Sequence, residues 1–243
     1  MKYLVNGALG RMGQAVINSV KAQGGEVVAV DCNFQEKAGY KSVFDVIEKV
    51  DVIIDFSFHT ATKQLLEYAI KNKIPCVIAT TGHTEEEKKD IINASKIIPV
   101  FYSGNMSVGI ALLSDLVKKA VKVMDKAEVE IIEIHHDKKV DAPSGTALML
   151  FDAVKSERPN SVLKEGRSGN CLRQENEVGI SSVRIASVVG VHEVIVSDGK
   201  QTITLKHEAH DRALFADGAL KAGNYLIGKT AGLYDMKKML GDL

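Results

Sequence analysis

The chain has 243 residues, of which 45% are hydrophobic and 26% are charged. That apolar fraction is typical of a folded globular protein and argues against disorder. Its 31 Lys and Arg residues balance its 31 Asp and Glu residues, which excludes a broad basic face for nucleic acid or an anionic membrane. The three cysteines are far apart and odd in number, so free thiols in a reducing compartment are expected rather than a disulfide framework.

No stretch of the sequence reaches the roughly 18 consecutive apolar residues that a membrane helix needs. The apolar run before Gly7 is also too short for the core of a secretory signal, and no small-residue cleavage site follows it. We therefore expect a cytoplasmic protein that binds neither a membrane nor nucleic acid.

Residues 1–106 alternate short β-branched segments with amphipathic helical segments. The pattern predicts strands over residues 3–6, 26–31, 52–56, 75–79 and 97–101. It predicts helices over residues 11–22, 43–49 and 60–71, and one that starts at the capping box of Thr84 and Glu87. Apolar strands that alternate with helices are typical of a parallel sheet with helices on both faces. The sequence therefore predicts an α/β, Rossmann-like dinucleotide-binding domain over 1–106.

The glycine-rich segment Gly7-Ala8-Leu9-Gly10-Arg11-Met12-Gly13 follows the first predicted strand and opens the first predicted helix. Glycines permit the sharp turn, the close approach of the backbone to a pyrophosphate and the tight packing of helix on strand. The helix N-terminus adds partial positive charge for the anion. Asp31 follows near the spacing of the acid that binds an adenine-ribose hydroxyl. Asp31 alone is equally well explained as a turn residue, but the whole arrangement predicts a dinucleotide site.

Two further loops follow predicted parallel strands, Ala79-Thr80-Thr81-Gly82 and Ser103-Gly104-Asn105-Met106. Ligands of open α/β sheets bind in the crevice at such strand ends. We expect these loops to contact a nicotinamide ring, although ordinary turn chemistry would explain either loop by itself.

The pattern changes after Ser103. It predicts helices over residues 108–124 and 147–155, a strand over 127–136, and a long polar loop over 156–176. Three strands in close succession, 180–189, 192–197 and 202–207, then predict a largely antiparallel sheet, and a helix over 211–227 follows. We therefore predict a second, α+β domain with a mixed or antiparallel sheet over 107–210, for substrate binding and oligomerisation. Residues 211–243 are expected to complete the first domain.

The segment 133–147 carries the residues with the most chemistry. His135 titrates near neutral pH and can transfer a proton. Lys139 supplies a cation that can hold a carboxylate or stabilise developing negative charge. Pro143-Ser144-Gly145-Thr146 is typical of a helix start, with Pro suited to the first helical position, and a helix N-terminus binds carboxylates. A small dianionic substrate that accepts a hydride and a proton fits this set. Each residue alone is about equally well explained as a solvated side chain or a simple cap.

The run His135-His136-x-x-Lys139-x-Asp141-Ala142-Pro143-Ser144-Gly145-Thr146-Ala147 resembles the signature of the dihydrodipicolinate reductase family. The similarity extends almost from end to end, because other segments match the family in the same order. These are the glycine turn, Asp55-Phe56-Ser57, Thr80-Thr81-Gly82, Asn105-Met106-Ser107-Val108-Gly109 and Phe215-Ala216-Asp217-Gly218-Ala219.

The resemblance implies an oxidoreductase of diaminopimelate and lysine biosynthesis, usually a homotetramer. Such enzymes use NADH or NADPH to reduce the cyclic dicarboxylate 4-hydroxy-tetrahydrodipicolinate to tetrahydrodipicolinate, with loss of water. Carried over by position, His135 is the acid/base, Lys139 a proton donor and carboxylate anchor, and His136, Gly145 and Thr146 bind substrate carboxylates. The implied cofactor-binding residues are Gly7, Ala8, Leu9, Gly10, Arg11, Met12, Asp31, Ala79, Thr80, Thr81, Ser103, Gly104, Asn105 and Met106.

Several positions depart from the family pattern. Asp31 is followed by Cys32 and Asn33 instead of a basic residue, which favours NADH, while Arg11 could still pair with the 2′-phosphate of NADPH. Ile185 and Ala186 replace a small Ala/Gly-Gly step, and Val191 replaces a common Glu. These three changes concern the packing of the second sheet more than catalysis.

Two alternatives stay open from the residues alone. A related reductase of another imino or amino dicarboxylate would share the glycine turn but should lack the His-His-x-x-Lys run. A non-catalytic nicotinamide sensor would need the glycines but no positioned acid. No metal is expected at His135, His136 and His192, because no third ligand follows at a recognisable spacing.

Overall fold

The computed structural model describes residues 1–35 and 39–242. They form two compact units, one of Met1–Ser107 with Arg212–Leu243 and the other of Val108–Asp211. The predicted domain ranges, 1–106 with 211–243 and 107–210, differ from these by one residue at each division. The functions assigned to the two domains stay predictions. Among the described residues, every helix is too short or too polar to span a bilayer.

Strands and α-helices alternate through most of the chain. The strands are β1 (Lys2–Asn6), β2 (Glu26–Val30), β3 (Val52–Asp55), β4 (Cys76–Ile78), β5 (Pro99–Tyr102), β6 (Glu128–His135), β7 (Val162–Glu165), β8 (Glu177–Arg184), β9 (Gly190–Ser197), β10 (Thr202–Ala209) and β11 (Gly232–Tyr234). The α-helices are α1 (Arg11–Ala22), α2 (Thr62–Asn72), α3 (Glu85–Ser95), α4 (Val108–Val123), α5 (Gly145–Glu157), α6 (Ala213–Leu226) and α7 (Met236–Gly241).

The first unit is built on a parallel sheet with the strand order β11-β5-β4-β3-β1-β2. Leu4, Ile53 and Val100 lie in one core cluster with apolar residues of α2 and α3. The next residue along β3, Ile54, points to the opposite face, where α6 approaches it at Gly223. Helix α6 also packs against α1. The predicted Rossmann-like sheet with helices on both faces is therefore confirmed.

Helix α3 begins as the sequence predicts. The Thr84 Oγ1 accepts a hydrogen bond from the backbone N–H of Glu87 at 3.3 Å, and Glu87 Oε2 accepts one from the Thr84 N–H at 2.7 Å. This reciprocal pair is a complete capping box, which satisfies two N–H groups that the helix itself cannot pair.

Two predictions for the first unit were wrong or incomplete. The predicted helix over 43–49 is a single 3₁₀ turn, Val43–Asp45, and the chain is already extended at Val46. Its β-branched residues lose side-chain freedom in a helix, and one isolated turn is costly to nucleate. Strand β11 and helix α7 were not predicted, because three- and six-residue elements carry too little periodicity.

The second unit contains a mixed sheet with the strand order β10-β9-β6-β8-β7. Strand β9 runs antiparallel to β6 and β10, whereas β8 runs parallel to β6 and β7. The predicted α+β domain with a mixed sheet is therefore confirmed, whereas the expectation that this sheet is largely antiparallel was wrong. Strands β8 and β9 follow each other in the chain but do not form a hairpin, because β6 lies between them. One face of the sheet packs on α4 and α5 through residues such as Ile131, Ile180 and Val194.

The predicted loop over 156–176 is interrupted by strand β7. It is an edge strand whose residues are all partly exposed, and Val162 at its start is 58% exposed. An edge strand of this kind lacks the alternation of apolar and polar residues that identifies a half-buried strand. Its polar composition therefore predicts a loop.

Arg158, which follows α5, caps the C-terminal end of α4. Its guanidinium donates hydrogen bonds to the carbonyl oxygens of Val121 at 2.9 and 3.1 Å and of Ala127 at 2.6 Å, and it also bonds to the Met124 carbonyl. The last carbonyl groups of α4 have no partner within that helix. Arg158 therefore satisfies a helix C-terminus and stabilises its negative end.

We expect Arg158→Ala to lower the free energy of unfolding by about 2–4 kcal/mol, because several buried carbonyl groups lose a charged donor. Urea unfolding followed by circular dichroism measures this change. The neighbouring exposed Glu157 provides a matched control, and Glu157→Ala should change stability by less than about 0.5 kcal/mol. Equal stabilities for the two variants would contradict the capping role.

Candidate active site

The glycine turn between β1 and α1 is tightly constrained. Gly7 has a φ of +77°, and a Cβ there would lie 2.5 Å from the Phe56 carbonyl oxygen. A Cβ on Gly13 would overlap the Gly7 carbonyl, and one on Gly10 would lie 3.2 Å from it. Gly7 and Gly13 therefore need glycine for the turn and for the close packing of helix on strand, whereas a side chain at Gly10 would only be crowded.

Fewer backbone N–H groups of the glycine turn are available to a phosphate than the motif alone suggests. The N–H groups of Gly7 and Ala8 donate to the Val30 carbonyl at 3.0 Å, and that of Leu9 donates to Asp31 Oδ2 at 3.0 Å. The Gly10 N–H donates to the Gly7 carbonyl. The first N–H groups of an α-helix have no partner within it, so the amides of the first turn of α1, at residues 11–13, are the candidates to bind a phosphate.

Asp31 lies immediately after β2 and is 8% exposed. Its Oδ1 accepts a hydrogen bond from the Asn33 N–H at 3.0 Å, while Oδ2 accepts the one from Leu9. These bonds tie the carboxylate to the glycine turn. The remaining lone pairs are acceptors of the kind that a ribose hydroxyl requires.

Two cavities of the first unit contain most of the predicted cofactor residues. One, of about 430 Å³, is lined by residues that include Gly7, Leu9, Gly10, Asp31 and Lys41. The other, of about 250 Å³, is lined by Gly10, Arg11, Met12, Phe56, Ser57, Ala79, Thr80 and Thr81. Gly10, Phe56 and Ser57 line both, so the two cavities adjoin along the carboxyl ends of the strands.

The remaining predicted cofactor residues lie nearby or in the core. Ala8 is fully buried. Residues 103–106 follow β5, and a Cβ on Gly104 would lie 3.7 Å from the methyl group of Thr81. Ser103 Oγ donates to the Asn105 carbonyl at 2.7 Å, which folds this loop on itself. Met106 is buried and its carbonyl abuts Gly218 of α6.

Asp55 links the ends of three strands and was noticed in the sequence only as part of a motif. It is completely buried and accepts hydrogen bonds from Asn6 Nδ2 at 2.8 Å, Ser57 Oγ at 2.6 Å and Thr80 Oγ1 at 2.7 Å. Burial raises the pKa of Asp55, and these hydrogen bonds act against that rise. Asp55 thus fixes the loops that line both cavities.

The second unit places His135 at the end of β6 beside a buried glutamate. His135 is 8% exposed, and its Nδ1 hydrogen-bonds to Oε2 of Glu133, which is completely buried. The two residues share a face because side chains two apart on a strand point the same way. Burial lowers the pKa of His135 although Glu133 raises it, so the imidazole is neutral at pH 7.

His192 packs edge-on against His135, with ring centroids 5.1 Å apart. Its Nε2 lies 3.1 Å from Ser144 Oγ. Ser144 is the N-cap of α5, and the same oxygen accepts a hydrogen bond from the Ala147 N–H at 3.2 Å. Burial lowers the pKa of His192 to about 4, so the ring is neutral and shares a hydrogen bond with the Ser144 hydroxyl.

The neutral state of His192 predicts an acid-sensitive stability. Between pH 6.5 and about 4 the unfolded chain binds a proton at this residue that the folded chain does not, so stability falls as the pH falls through that window. His192→Gln should remove a slope of about 1.4 kcal/mol per pH unit from the free energy of unfolding. Urea unfolding at a series of pH values measures it, with the exposed His210→Gln as control. Identical pH dependence in the parent and His192→Gln would contradict the assignment.

The loop after β6 holds the predicted lysine. Lys139 Nζ donates to both carboxylate oxygens of Asp141, at 2.8 and 2.9 Å, and the Asp141 carbonyl accepts a bond from Arg184 at 2.7 Å. The charge of Lys139 lowers the pKa of His135, so the two groups are electrostatically coupled. His136 lies between them in sequence and is half-buried, and its carbonyl accepts the Lys139 N–H at 3.2 Å.

The predicted helix start is confirmed as the N-terminus of α5, with one correction, and carboxylate binding there stays a prediction. Ser144, not Pro143, opens the helix, and Pro143 precedes the cap after a cis peptide bond. Gly145 and Thr146 occupy the first turn, and a Cβ added at Gly145 would meet nothing within 4 Å. The space in front of residue 145 is therefore open to a ligand.

Glu133, His135 and His192 each offer a donor atom, and the three atoms lie within 4.8 Å of one another. Glu133, two positions before His135 on β6, thus completes the group of three. Arg184 donates to Glu133 at 2.8 Å, and a guanidinium at this distance repels a metal cation. Hydrogen bonds therefore explain why Glu133, His135 and His192 lie together. The absence of a metal at this group stays a prediction.

The departures from the family pattern fit into the sheet. Ile185 N–H donates to the His135 carbonyl at 2.8 Å, and Asp137 N–H donates to the Ala186 carbonyl at 3.1 Å. Ala186 has a φ of +46°, a conformation that favours glycine, which explains why a small Gly step suits this position. Val191 is buried and pairs with Ile134. Pairing of β8 and β6 continues to Arg184 and His135 despite these changes.

Known proteins resemble the whole chain. The family description "Dihydrodipicolinate reductase, N-terminus" matches residues 1–106, and "Dihydrodipicolinate reductase, C-terminus" matches residues 109–240. A 4-hydroxy-tetrahydrodipicolinate reductase from Caldanaerobacter subterraneus subsp. tengcongensis is 45% identical over 99% of this chain and 98% of its own. A relative of the same name from Clostridium novyi is 41% identical, with 98% of each chain covered.

Solved structures share the fold. A dipicolinate-bound dihydrodipicolinate reductase from Paenisporosarcina sp. TG-14 has a TM-score of 0.82 and 24% identity, with 97% of each chain covered. Aspartate dehydrogenase from Thermotoga maritima has a TM-score of 0.54 and 16% identity, over 95% of this chain and 98% of that one. At these identities the likeness concerns the fold alone.

Proposed function

The chain belongs to the dihydrodipicolinate reductase family, and on that premise we propose which of its residues carry out the reaction. It is an oxidoreductase that reduces 4-hydroxy-tetrahydrodipicolinate to tetrahydrodipicolinate with a nicotinamide dinucleotide, in diaminopimelate and lysine biosynthesis. The reaction consumes one hydride and one proton and releases water. The observation that carries the proposal is His135, a buried imidazole held by Glu133 at the start of the family's signature run.

His135 serves as the acid/base, and its uncharged state at pH 7 lets it accept and return a proton. Lys139 supplies a proton and holds a substrate carboxylate. His136 and the first-turn amides at Gly145 and Thr146 bind the carboxylates, since a helix N-terminus attracts anions. Open space in front of Gly145 supports this assignment.

The first unit fits a dinucleotide, whose bound nicotinamide supplies the hydride. The turn at Gly7 has no room for a Cβ, and the first-turn amides of α1, which have no partner within the helix, bind the pyrophosphate. Asp31 supplies acceptors for the adenine ribose. The nicotinamide end of the cofactor contacts Thr80, Thr81 and the loop 103–106.

We assign NADH as the preferred cofactor, because the Asp31 carboxylate disfavours a 2′-phosphate. Arg11 lines the smaller cavity with Thr80 and Thr81 and is not among the residues that line the cavity of Asp31. Lys41, which no motif marks in the sequence, lines the Asp31 cavity and is the cation that a 2′-phosphate would meet. Rates with NADPH should therefore be lower but measurable, and Lys41→Ala should lower kcat/KM for NADPH more than for NADH.

The decisive experiment follows absorbance at 340 nm with each cofactor in parallel, using substrate made in situ by the preceding synthase. Substrate-dependent oxidation supports the reductase, with higher kcat/KM for NADH. Tight cofactor binding without oxidation would instead indicate a sensor. Oxidation only with another imino dicarboxylate would indicate a related reductase.

A homotetramer built through the second unit completes the proposal. Ile132, Ile134 and Ile195 are half-buried and lie on the sheet face opposite the core residues Ile131 and Val194. Apolar residues on a partly uncovered sheet face are suited to packing against another copy. Light scattering should give the mass of four chains, and a monomeric mass would reject this assignment.

A further inference from the structure

Glu133 is an unusual residue for the interior of a sheet. Its side chain is 0% exposed and lies on the sheet face that packs on an apolar core cluster. Burial alone would raise the pKa of Glu133, but hydrogen bonds from Arg184, Ser182 and His135 hold it below the ordinary value. A buried ionised carboxylate is costly unless it is fully paired. Its retention here calls for a role beyond packing.

The two oxygens of Glu133 have different partners. Oε1 accepts hydrogen bonds from Arg184 Nη2 at 2.8 Å and from the Ser144 N–H at 3.3 Å, whereas Oε2 faces Nδ1 of His135. An ionised carboxylate only accepts hydrogen bonds. The Nδ1 atom of His135 must therefore carry a proton, which leaves the lone pair of the neutral ring on Nε2.

The Nε2 atom lies beside a glycine. A Cβ added at Gly190 would be 3.1 Å from Nε2 of His135, so the glycine keeps this side of the ring clear. The charged and titratable groups that act on His135 from neighbouring elements are Lys139, Arg184 and His192, together with Glu133 on its own strand. Among these, Glu133 is the one that hydrogen-bonds to the ring.

We propose that Glu133 is a positioning residue, fixed by Arg184, that holds His135 in its Nδ1–H tautomer so that Nε2 is the atom that accepts and returns the proton. This inference rests on the proposed acid/base role of His135. It adds to that role the atom that transfers the proton, Nε2, and the two residues that determine this choice, Glu133 and Arg184. The arrangement follows the general rule that the partner of one ring nitrogen decides the state of the other.

The variant Glu133→Gln makes a specific prediction. Arg184 and the Ser144 N–H both donate to Oε1, so the amide oxygen of glutamine should occupy that position. The amide NH₂ group then faces His135 and donates to Nδ1. Because Nδ1 must now accept, the neutral ring should switch to the Nε2–H tautomer.

The test combines nitrogen NMR of the histidine rings with kinetics. In the parent protein, without substrate, we expect His135 to show a protonated Nδ1 and an unprotonated Nε2, with the signals assigned through their loss in His135→Gln. Glu133→Gln should invert that pattern and lower kcat by about 10- to 100-fold, less than the roughly 10²- to 10⁴-fold contributed by a group that transfers the proton itself. KM should change by less than about threefold, because Glu133 acts through His135. The pH limb governed by His135 should move to lower pH, since the variant lacks the nearby negative charge.

Glu130 provides a matched control on the same strand. It pairs with Arg173, lies on the other face of β6 and does not contact His135, so Glu130→Gln should change neither the tautomer nor kcat. If Glu133→Gln fails to fold, Glu133→Asp keeps an acceptor-only carboxylate and should retain the parent tautomer with a smaller loss of kcat. An Nε2–H tautomer in the parent, or an unchanged tautomer in Glu133→Gln, would overturn the inference. Full activity of His135→Gln would overturn the role of His135 instead, and the NMR result separates the two cases.

Discussion

His135→Gln is expected to lower kcat by about 10³-fold, because glutamine keeps a hydrogen-bonding group near this position but cannot take up or release a proton at neutral pH. The affinity for NADH should stay unchanged, since the cofactor residues belong to the other compact unit. Turnover measured at 340 nm and calorimetric titration of NADH test the two statements. A rate within a few-fold of the parent would reject the acid/base role.

The matching control is the exposed His210, which lies in the same unit. His210→Gln should leave both turnover and cofactor binding as they are in the parent. The parent should also show a pH limb below 6.5, because burial lowers the pKa of His135. That limb should be missing from the profile of His135→Gln.

Lys139→Ala is expected to lower kcat by about 10²-fold and to raise KM for the substrate, because both a proton donor and a cation for a carboxylate are lost. The ammonium group is held by both oxygens of Asp141, whose carbonyl is bonded by Arg184. Steady-state kinetics with varied substrate separates the two effects.

The adjacent Lys138 is exposed and serves as the control. Lys138→Ala changes the net charge by the same amount and should leave both constants within about twofold, since exposed charges are largely screened. Equal losses in the two variants would mean that general charge, and not the position of Lys139, matters.

Much of the first unit could be predicted because local signals and tertiary packing agree there. The apolar strands, the capping box at Thr84 and the glycine turn each have a short-range cause. The exception is the segment 43–49. The spacing of its apolar residues is typical of a helix, but its β-branched residues do not stabilise more than one 3₁₀ turn. The short β11 depends on the neighbouring β5, which no local pattern reveals.

The second unit was harder because its pairings connect distant parts of the chain. Strand β6 brings His135 opposite Arg184 and Glu133 opposite His192 through strand register, which spacing in the sequence does not encode. Only Glu133 could have been found beforehand, since a residue two positions from His135 on a strand shares its face. The signature run indicated the right place but not the network that supports it.

The first unit is discontinuous in the chain, and this has a consequence for folding during synthesis. Helix α6 and strand β11 contribute to the first unit but follow the whole of the second. At roughly 5–20 residues per second, the ribosome needs roughly 5–20 s to make the intervening segment. During that interval the nascent sheet has an unpaired edge at β5 and an apolar face without its helix, and such surfaces favour aggregation. The second unit, which is continuous, can fold first, so nascent chains should depend on chaperones mainly through the unfinished N-terminal portion.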